Sequence, residues 1–365
     1  MMKDRYQKHK LLQYFISRNW YPQMEVEIFW PDSPFAKPKM ITDIDVLALA
    51  PSQSGVLRPI IGDCKTLKNQ SPINRVFWIK GLMSYLDSEY GIVLLSKAIE
   101  SEHKLLANSL NVSLLSDSDF KCYSEATTKK VITDAALCNL DRWDRYFAIP
   151  SMFPNLLPLF AYCKNGFWNE RDSSVQLRHA IAKMQNARTE LNPESSISIF
   201  LFLELCSLFS IALNNICVST FDKFLWREKK ENFEQDLRTQ LWGGYENYQF
   251  YNQLRKLLMA KTPEDPAASL TLPEWPRFIQ LVRACMDCPL ELSTVPIILK
   301  ELAFQYLPEQ TLLEDSDHFI KTLVTNNPQA AKCSILIMDY ISKSAKLPSE
   351  FSAISVQIMK LQRIS

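Results

Sequence analysis

The chain has 365 residues, of which 47% are hydrophobic and 22% charged, and a formal net charge of +1. That composition excludes a disordered or fibrous protein, and the length exceeds what one hydrophobic core usually organises, so two domains, or one with a large appendage, is the expectation. Near-neutral charge alone argues neither for nor against a polyanionic partner.

From Asp4 to Trp20 the apolar residues Leu11, Leu12, Tyr14, Phe15 and Ile16 recur near helical spacing, without glycine or proline, which predicts an opening helix. Residues 24–30 (MEVEIFW) alternate, with Glu25 and Glu27 on one side and Val26 and Ile28 on the other, as in a first strand. Residues 31–39 contain three prolines and form a loop. Residues 40–50 (MITDIDVLALA), apolar and β-branched, give a second strand carrying Asp43 and Asp45, and residues 56–65 (VLRPIIGDCK) a third ending in Asp63 and Lys65. An amphipathic helix at 73–86, a buried strand at 90–95, a helix at 99–109 and a short strand at 112–115 complete an αβββαβ order with an added αβ. In the helix at 73–86, Val76, Phe77, Leu82 and Leu86 are expected to face the core, with Arg75 and Lys80 at its rim. The interleaving of Arg75, Phe77, Trp78 and Lys80 also suits contact with a nucleic-acid strand, although a core face is the stronger expectation.

Beyond about residue 134 only helical periodicity is visible. Glycine supports this, since five of the seven lie between Gly55 and Gly166 and strands and tight turns use glycine where helices avoid it. The chain therefore divides into an α/β part, residues 1–135, and an all-helical part, residues 150–365. Residues 197–218 approach membrane-spanning length but contain Glu204, Asn214 and Asn215, so a central buried helix is expected and no membrane partner. The stretch 241–251 (LWGGYENYQFY) is expected to be mostly core. The nine cysteines are scattered, which points to reduced thiols and a cytoplasmic protein. Cys285 and Cys288 form a C-x-x-C with no second pair at zinc spacing, and are expected to be buried and structural. The four histidines are unpaired, which argues against a His-rich metal site or a Ser-His-Asp triad, and His9 is expected on the helix surface.

Asp45, Asp63 and Lys65 carry the chemical signal. Phosphodiester hydrolysis by a divalent cation needs two or more carboxylates converging on one point, and oxygen ligands select magnesium or manganese. A neighbouring lysine can orient or deprotonate the attacking water and offset charge on the phosphate. Residues two apart on a strand share a face, so Asp63 and Lys65 point together while Cys64 turns into the packing, and an antiparallel preceding strand can bring Asp45 beside Asp63. Acidic-x-Lys also occurs at Glu102, Asp119 and Glu228, so the tripeptide alone is not specific. At Asp63 it ends an apolar β-branched run and follows a strand with its own aspartate.

DIDVLA followed by IIGDCK resembles motifs II and III of the PD-(D/E)XK, or restriction-endonuclease-like, nuclease superfamily, over roughly residues 4–120. The resemblance implies a mixed sheet flanked by helices, Mg²⁺ (or Mn²⁺) as cofactor, DNA as the usual nucleic-acid substrate, and Asp45, Asp63 and Lys65 as catalytic centre. Many members place a glutamate in the first helix. This chain has Gln7, Lys8 and His9 there, so a further metal ligand beside Asp45 and Asp63 is expected from the first strand, through Glu27 or Glu25. Residues 1–130 carry 17 Lys/Arg against 14 Asp/Glu, and the remainder 24 against 26, a slight bias toward a DNA-facing first half. Two functions follow as expectations: a Mg²⁺-dependent nuclease, with a bacterial defence setting by analogy and a helical half that recognises substrate or a protein partner; or an inactive nuclease fold acting as a binding or assembly subunit.

Overall fold

The computed structural model describes residues 3–30, 39–66, 71–223, 230–259, 270–307 and 318–363. Helix α1 (Arg5–Ser17) precedes three strands, β1 (Tyr21–Phe29), β2 (Met40–Pro51) and β3 (Leu57–Lys65). Then come helix α2 (Pro72–Leu86), strand β4 (Tyr90–Leu95), helix α3 (Ser101–Ser109) and strand β5 (Val112–Ser116). Most of the loop expected at 31–39 lies outside the described residues. The sheet runs β1-β2-β3-β4-β5. β1 to β3 form an antiparallel meander, and β4 and β5 continue parallel to β3. Helix crossovers permit that parallel continuation, because parallel neighbours need a long connection.

Helix α4 (Asp117–Thr127) was not foreseen. Its signal is a capping box, in which the Ser116 hydroxyl accepts from the Asp119 amide and the Asp119 side chain accepts from the Ser116 amide. After it every described element is helical, the first of them long enough to count being Leu140–Met152. The protein is thus α+β, with a five-stranded mixed sheet in its first half and helices throughout the second.

The change of element type does not interrupt the packing. On one face of the sheet Leu11, Leu12 and Phe15 of α1 join Val46 and Cys64 in a core that continues to Phe200, Phe209 and Phe304 of the helical half. The other face, with Val26, Leu47, Ile61 and Val93, packs beneath Val76, Ile79 and Met83 of α2. The buried stripe of α2 is Val76, Ile79, Leu82 and Met83, so the sequence-based phase was wrong for Phe77, which is 55% exposed. Residues 76, 79 and 83 follow the helical repeat, whereas residue 77 is turned about 100° from residue 76. In the stretch 241–251, Leu241 and Tyr248 are buried but Tyr245 and Phe250 are exposed, so only part of it is core.

Gly62 permits the close approach of α1 to the sheet. A Cβ there would overlap the Leu11 side chain and lie 2.8 Å from the Val46 carbonyl oxygen. Gly62→Ala is therefore expected to destabilise the fold by about 1–3 kcal/mol, because the backbone oxygen cannot rotate away. Denaturant unfolding checks this, and an unchanged midpoint would mean the α1–β3 spacing is looser than described.

The apolar helix Ser196–Lys223 has 89% of its most hydrophobic window buried inside the molecule, as expected of a core helix. Its Glu204 meets Lys300 of the helix Val295–Gln305 at 2.6 Å, both with no exposed surface. Lys300 Nζ also donates to Gln23 Oε1 at 2.6 Å and to the Tyr21 hydroxyl at 3.1 Å, which fastens the helical half to β1. Glu301 accepts hydrogen bonds from the backbone of Ala136 and Leu137, holding the connection between the two parts. The free edge of β1 is closed by side-chain amides: Asn165 accepts from Glu27 N, Asn169 accepts from Phe29 N, and Asn169 donates to Glu27 O. Exposed strand edges invite unwanted pairing, and this cover removes the risk along that stretch.

Candidate metal centre

β2 and β3 pair from Pro51↔Leu57 to Val46↔Gly62 and then part, β2 remaining with β1 and β3 with β4. The candidate site lies in this fork. Beyond the last paired position the Cys64 amide donates to Asp45 Oδ2 at 2.8 Å, drawing the carboxylate between the strands. Asp45 is 4% exposed. Lys65 Nζ lies 2.9 Å from the same oxygen and 3.6 Å from Asp63 Oδ1. Asp63, two residues before Lys65 on β3, is 1% exposed. The structure thus brings Asp45, Asp63 and Lys65 together around one ammonium group.

Two cations complete the cluster. Lys8 of α1, 2% exposed, places Nζ 2.8 Å from Asp45 Oδ1 and also donates to Glu25 Oε1. Arg75, in the first turn of α2, grips Asp63 with two hydrogen bonds, Nε to Oδ2 at 2.8 Å and Nη2 to Oδ1. Its guanidinium lies over the Trp78 ring, 4.0 Å from the centroid. Sequence reasoning left both out of the site. Lys8 had a signal: it falls on the stripe of Leu11, Leu12 and Phe15, where a lysine is out of place unless paired. Arg75 stood out in the sequence only for its interleaving with Phe77 and Trp78, which does not foretell its grip on Asp63.

Glu25 lies opposite Asp45 on the neighbouring strand, with φ +54° in the middle of β1. A left-handed residue inside a strand is costly for a non-glycine, and such strain is often retained where it aims a side chain. Here the Glu25 carboxylate turns toward Lys8. Oxygens of Glu25, Asp43 and Asp45 lie within 4.8 Å of one another, and Asp43 is exposed. A groove of about 760 Å³, lined by Glu25, Glu27, Asp43, Asp144, Phe147 and Lys164, reaches Glu25 and Asp43.

Glu27, a metal ligand in the sequence-based expectation, does not join them. Its carboxylate binds Lys164 Nζ at 2.7 Å and Asn165 Nδ2 at 3.0 Å, because the amide-bearing segment that covers the β1 edge also claims the side chain. Glu25 replaces it. His9 is half-buried and bonds the Cys138 carbonyl at 2.9 Å, away from the acids. Cys285 is buried and Cys288 partly so, its Sγ 3.4 Å from the Cys333 Sγ.

The charges order the ionisation. Burial alone would raise the Asp45 carboxyl, but Lys8 and Lys65 reverse this and hold it below its ordinary value. Burial would lower Lys65, but Asp45 and Asp63 overcome that and hold its ammonium above the ordinary lysine value. Lys8 is raised in the same way by Asp45 and Glu25. At neutral pH Lys65 is thus a fixed cation, suited to orienting and charge balance and unsuited to accepting a proton, which narrows the roles open to it. Burial pushes Asp63 and Glu25 upward, against Arg75 and Lys8 respectively.

The donor set fits a hard divalent cation. An ionised carboxylate offers about four lone-pair sites. On Asp45, Oδ2 already receives Cys64 N and Lys65, while Oδ1 receives Lys8, leaving capacity on the side of Glu25 and Asp43. Oxygen donors of this kind suit Mg²⁺ or Mn²⁺. Glu25→Gln is accordingly expected to weaken Mn²⁺ binding on the order of tenfold or more, with Glu27→Gln near wild type. Calorimetric titration distinguishes them, and equal losses in both would place Glu27 back among the ligands.

No protein-family model matches the chain, and comparisons with characterised proteins and with solved structures likewise return no match.

Proposed function

We propose that the chain is a Mg²⁺-dependent nuclease whose first half is a PD-(D/E)XK, restriction-endonuclease-like core, acting on nucleic acid and most readily on DNA. The observation that carries this reading is the convergence of Asp45, Asp63 and Lys65 where β2 and β3 part, with both carboxylates within 3.6 Å of the Lys65 ammonium. The element order αβββαβ over a mixed sheet, with the acids and the lysine on its second and third strands, agrees with what the resemblance implies and supports this reading.

Asp45 and Glu25, with Asp43 at the solvent side, would hold the ion, which supplies Lewis-acid polarisation of the phosphate and a more acidic water. Asp63, expected from the sequence among the metal ligands, has both oxygens on the Arg75 fork and stands outside the group of Glu25, Asp43 and Asp45, so in this reading it fixes Lys65 instead. Lys65, fully charged, orients the attacking water and opposes the negative charge that grows on the phosphoryl oxygens. Phe77, exposed one helical position before Trp78, offers a surface on which a nucleic-acid base can stack.

A second reading is favoured by one specific feature. Lys8, Lys65 and Arg75 already neutralise Asp45, Glu25 and Asp63, an arrangement that also suits an inactive fold retained as a binding or assembly subunit. A panel of linear duplex DNA, single-stranded DNA and structured RNA, incubated with the purified chain and Mg²⁺, separates the two. The nuclease is expected to cleave at least one member and to stop when the metal is chelated. Binding without cleavage in Mg²⁺ or Mn²⁺ would support the inactive fold.

A further inference from the structure

Lys8 performs no step in the proposed reaction, yet it occupies the most consequential position in the cluster. Its ammonium is bonded to Asp45 Oδ1 and to Glu25, two of the three carboxylates that could hold a metal. Lys65 lies instead on Asp45 Oδ2, and Arg75 binds Asp63. Of these three cations, Lys8 therefore stands on the side where a metal would enter. Burial on the packed face of α1 leaves it no solvent to swing into unless the helix moves.

Glu25, Asp45 and Asp63 carry three negative charges, and Lys8, Lys65 and Arg75 three positive ones, so the buried cluster is balanced before any metal arrives. Within the group of Glu25, Asp43 and Asp45, the exposed Asp43 is the carboxylate outside this balance. In a partly desolvated site, where charges interact far more strongly than in water, a neighbouring ammonium is a severe obstacle to a divalent ion. A phosphodiester entering beside the metal would bring the missing negative charge.

We propose that Lys8 is a built-in counter-cation that keeps divalent-metal affinity low until a phosphodiester supplies compensating charge, so that metal and nucleic acid bind cooperatively. The second half of this inference rests on the nuclease reading; the first half, that Lys8 opposes the metal, does not. Lys8 is a positioning residue in this scheme: it holds the Glu25 and Asp45 carboxylates by ion pairing and acts on the reaction only through them.

The test measures Mn²⁺ binding to the full chain, by calorimetry and by the electron-spin signal of free Mn²⁺, for wild type and Lys8→Gln. Each is titrated alone and with a cleavage-resistant phosphorothioate oligodeoxynucleotide. Wild type is expected to bind Mn²⁺ weakly alone and roughly tenfold or more tightly with the oligonucleotide, with the reciprocal gain in oligonucleotide affinity that linkage demands. Lys8→Gln, which keeps a polar group but removes the charge, is expected to bind Mn²⁺ alone with a similar gain and to benefit little further. Lys8→Gln protein that binds Mn²⁺ no more tightly than wild type would overturn the proposal. Should that variant fail to fold, the wild-type titrations decide: Mn²⁺ affinity unchanged by a bound oligonucleotide overturns it equally. Tighter Mn²⁺ binding by Lys8→Gln with no oligonucleotide binding to either protein would uphold the counter-cation and overturn the nuclease reading.

Discussion

Lys65→Ala protein is expected to fold, to bind Mn²⁺ at least as tightly as wild type, and to lose cleavage by a factor on the order of 10² or greater, expressed in turnover more than in nucleic-acid affinity. The reason lies in what Lys65 touches. Its ammonium is 2.9 Å from Asp45 and 3.6 Å from Asp63, and both aspartates have other partners, so truncation leaves neither carboxylate without a cation. In the proposed reaction what disappears is the charge that would face the phosphate, an interaction that strengthens as the transition state forms. Lys65→Arg is expected to recover only part of the activity, since a planar guanidinium cannot occupy the place of a compact ammonium in the fork. Single-turnover rates, measured alongside Mn²⁺ titrations, check both statements. Unchanged cleavage by Lys65→Ala would remove Lys65 from the mechanism and reduce Asp63-x-Lys65 to one more chance occurrence of acidic-x-Lys.

The largest effect on stability is expected at the Lys300–Glu204 pair, buried where the helical half meets β1. With both side chains wholly buried and 2.6 Å apart, Lys300→Met leaves Glu204 as an uncompensated charge in the core, a change that costs about 3–5 kcal/mol. Gln23 and Tyr21 lose their shared partner at the same time, and Glu204 Oε2 already lacks a hydrogen bond. Because the core runs without a break from the sheet to the helices, the loss should appear as an earlier unfolding of the whole chain. The double variant Lys300→Met/Glu204→Leu is expected to recover most of the deficit, since removing both charges also removes the desolvation penalty. Denaturant midpoints measured for the single and double variants decide the matter. A cost below about 1 kcal/mol for Lys300→Met would mean that Glu204 finds a proton or solvent.

Much of the fold was legible because its signals are local. Alternation in β1, the β-branched runs of β2 and β3 and the apolar block of β4 each stand in a window of a few residues, as do Asp45, Asp63 and Lys65 within them. Helix α4 was missed because DSDFKCYSEAT has hardly any apolar stripe and declares itself only through its Ser116/Asp119 cap. The cover on β1 by Asn165 and Asn169 joins residues more than 130 positions apart, which no window reveals, and with it went the fate of Glu27. The left-handed backbone at Glu25 is equally invisible, since nothing in MEVEIF announces a residue that most side chains avoid. The continuity of the core across the change from sheet to helices is likewise a property of packing: glycine distribution locates the change in element type but does not say whether the two parts share an interior.

The central claim is that the fork between β2 and β3 is a metal-dependent phosphodiesterase centre, and Asp45 is its most connected member. The direct test compares wild type with Asp45→Asn, purified in parallel and shown by unfolding to be folded, in cleavage of DNA across a Mg²⁺ titration. Wild type is expected to cleave with saturable dependence on Mg²⁺, and Asp45→Asn, which removes the charge that both Lys8 and Lys65 address, to show no cleavage at any Mg²⁺ concentration. Equal Mg²⁺-dependent cleavage by the two proteins would contradict the assignment.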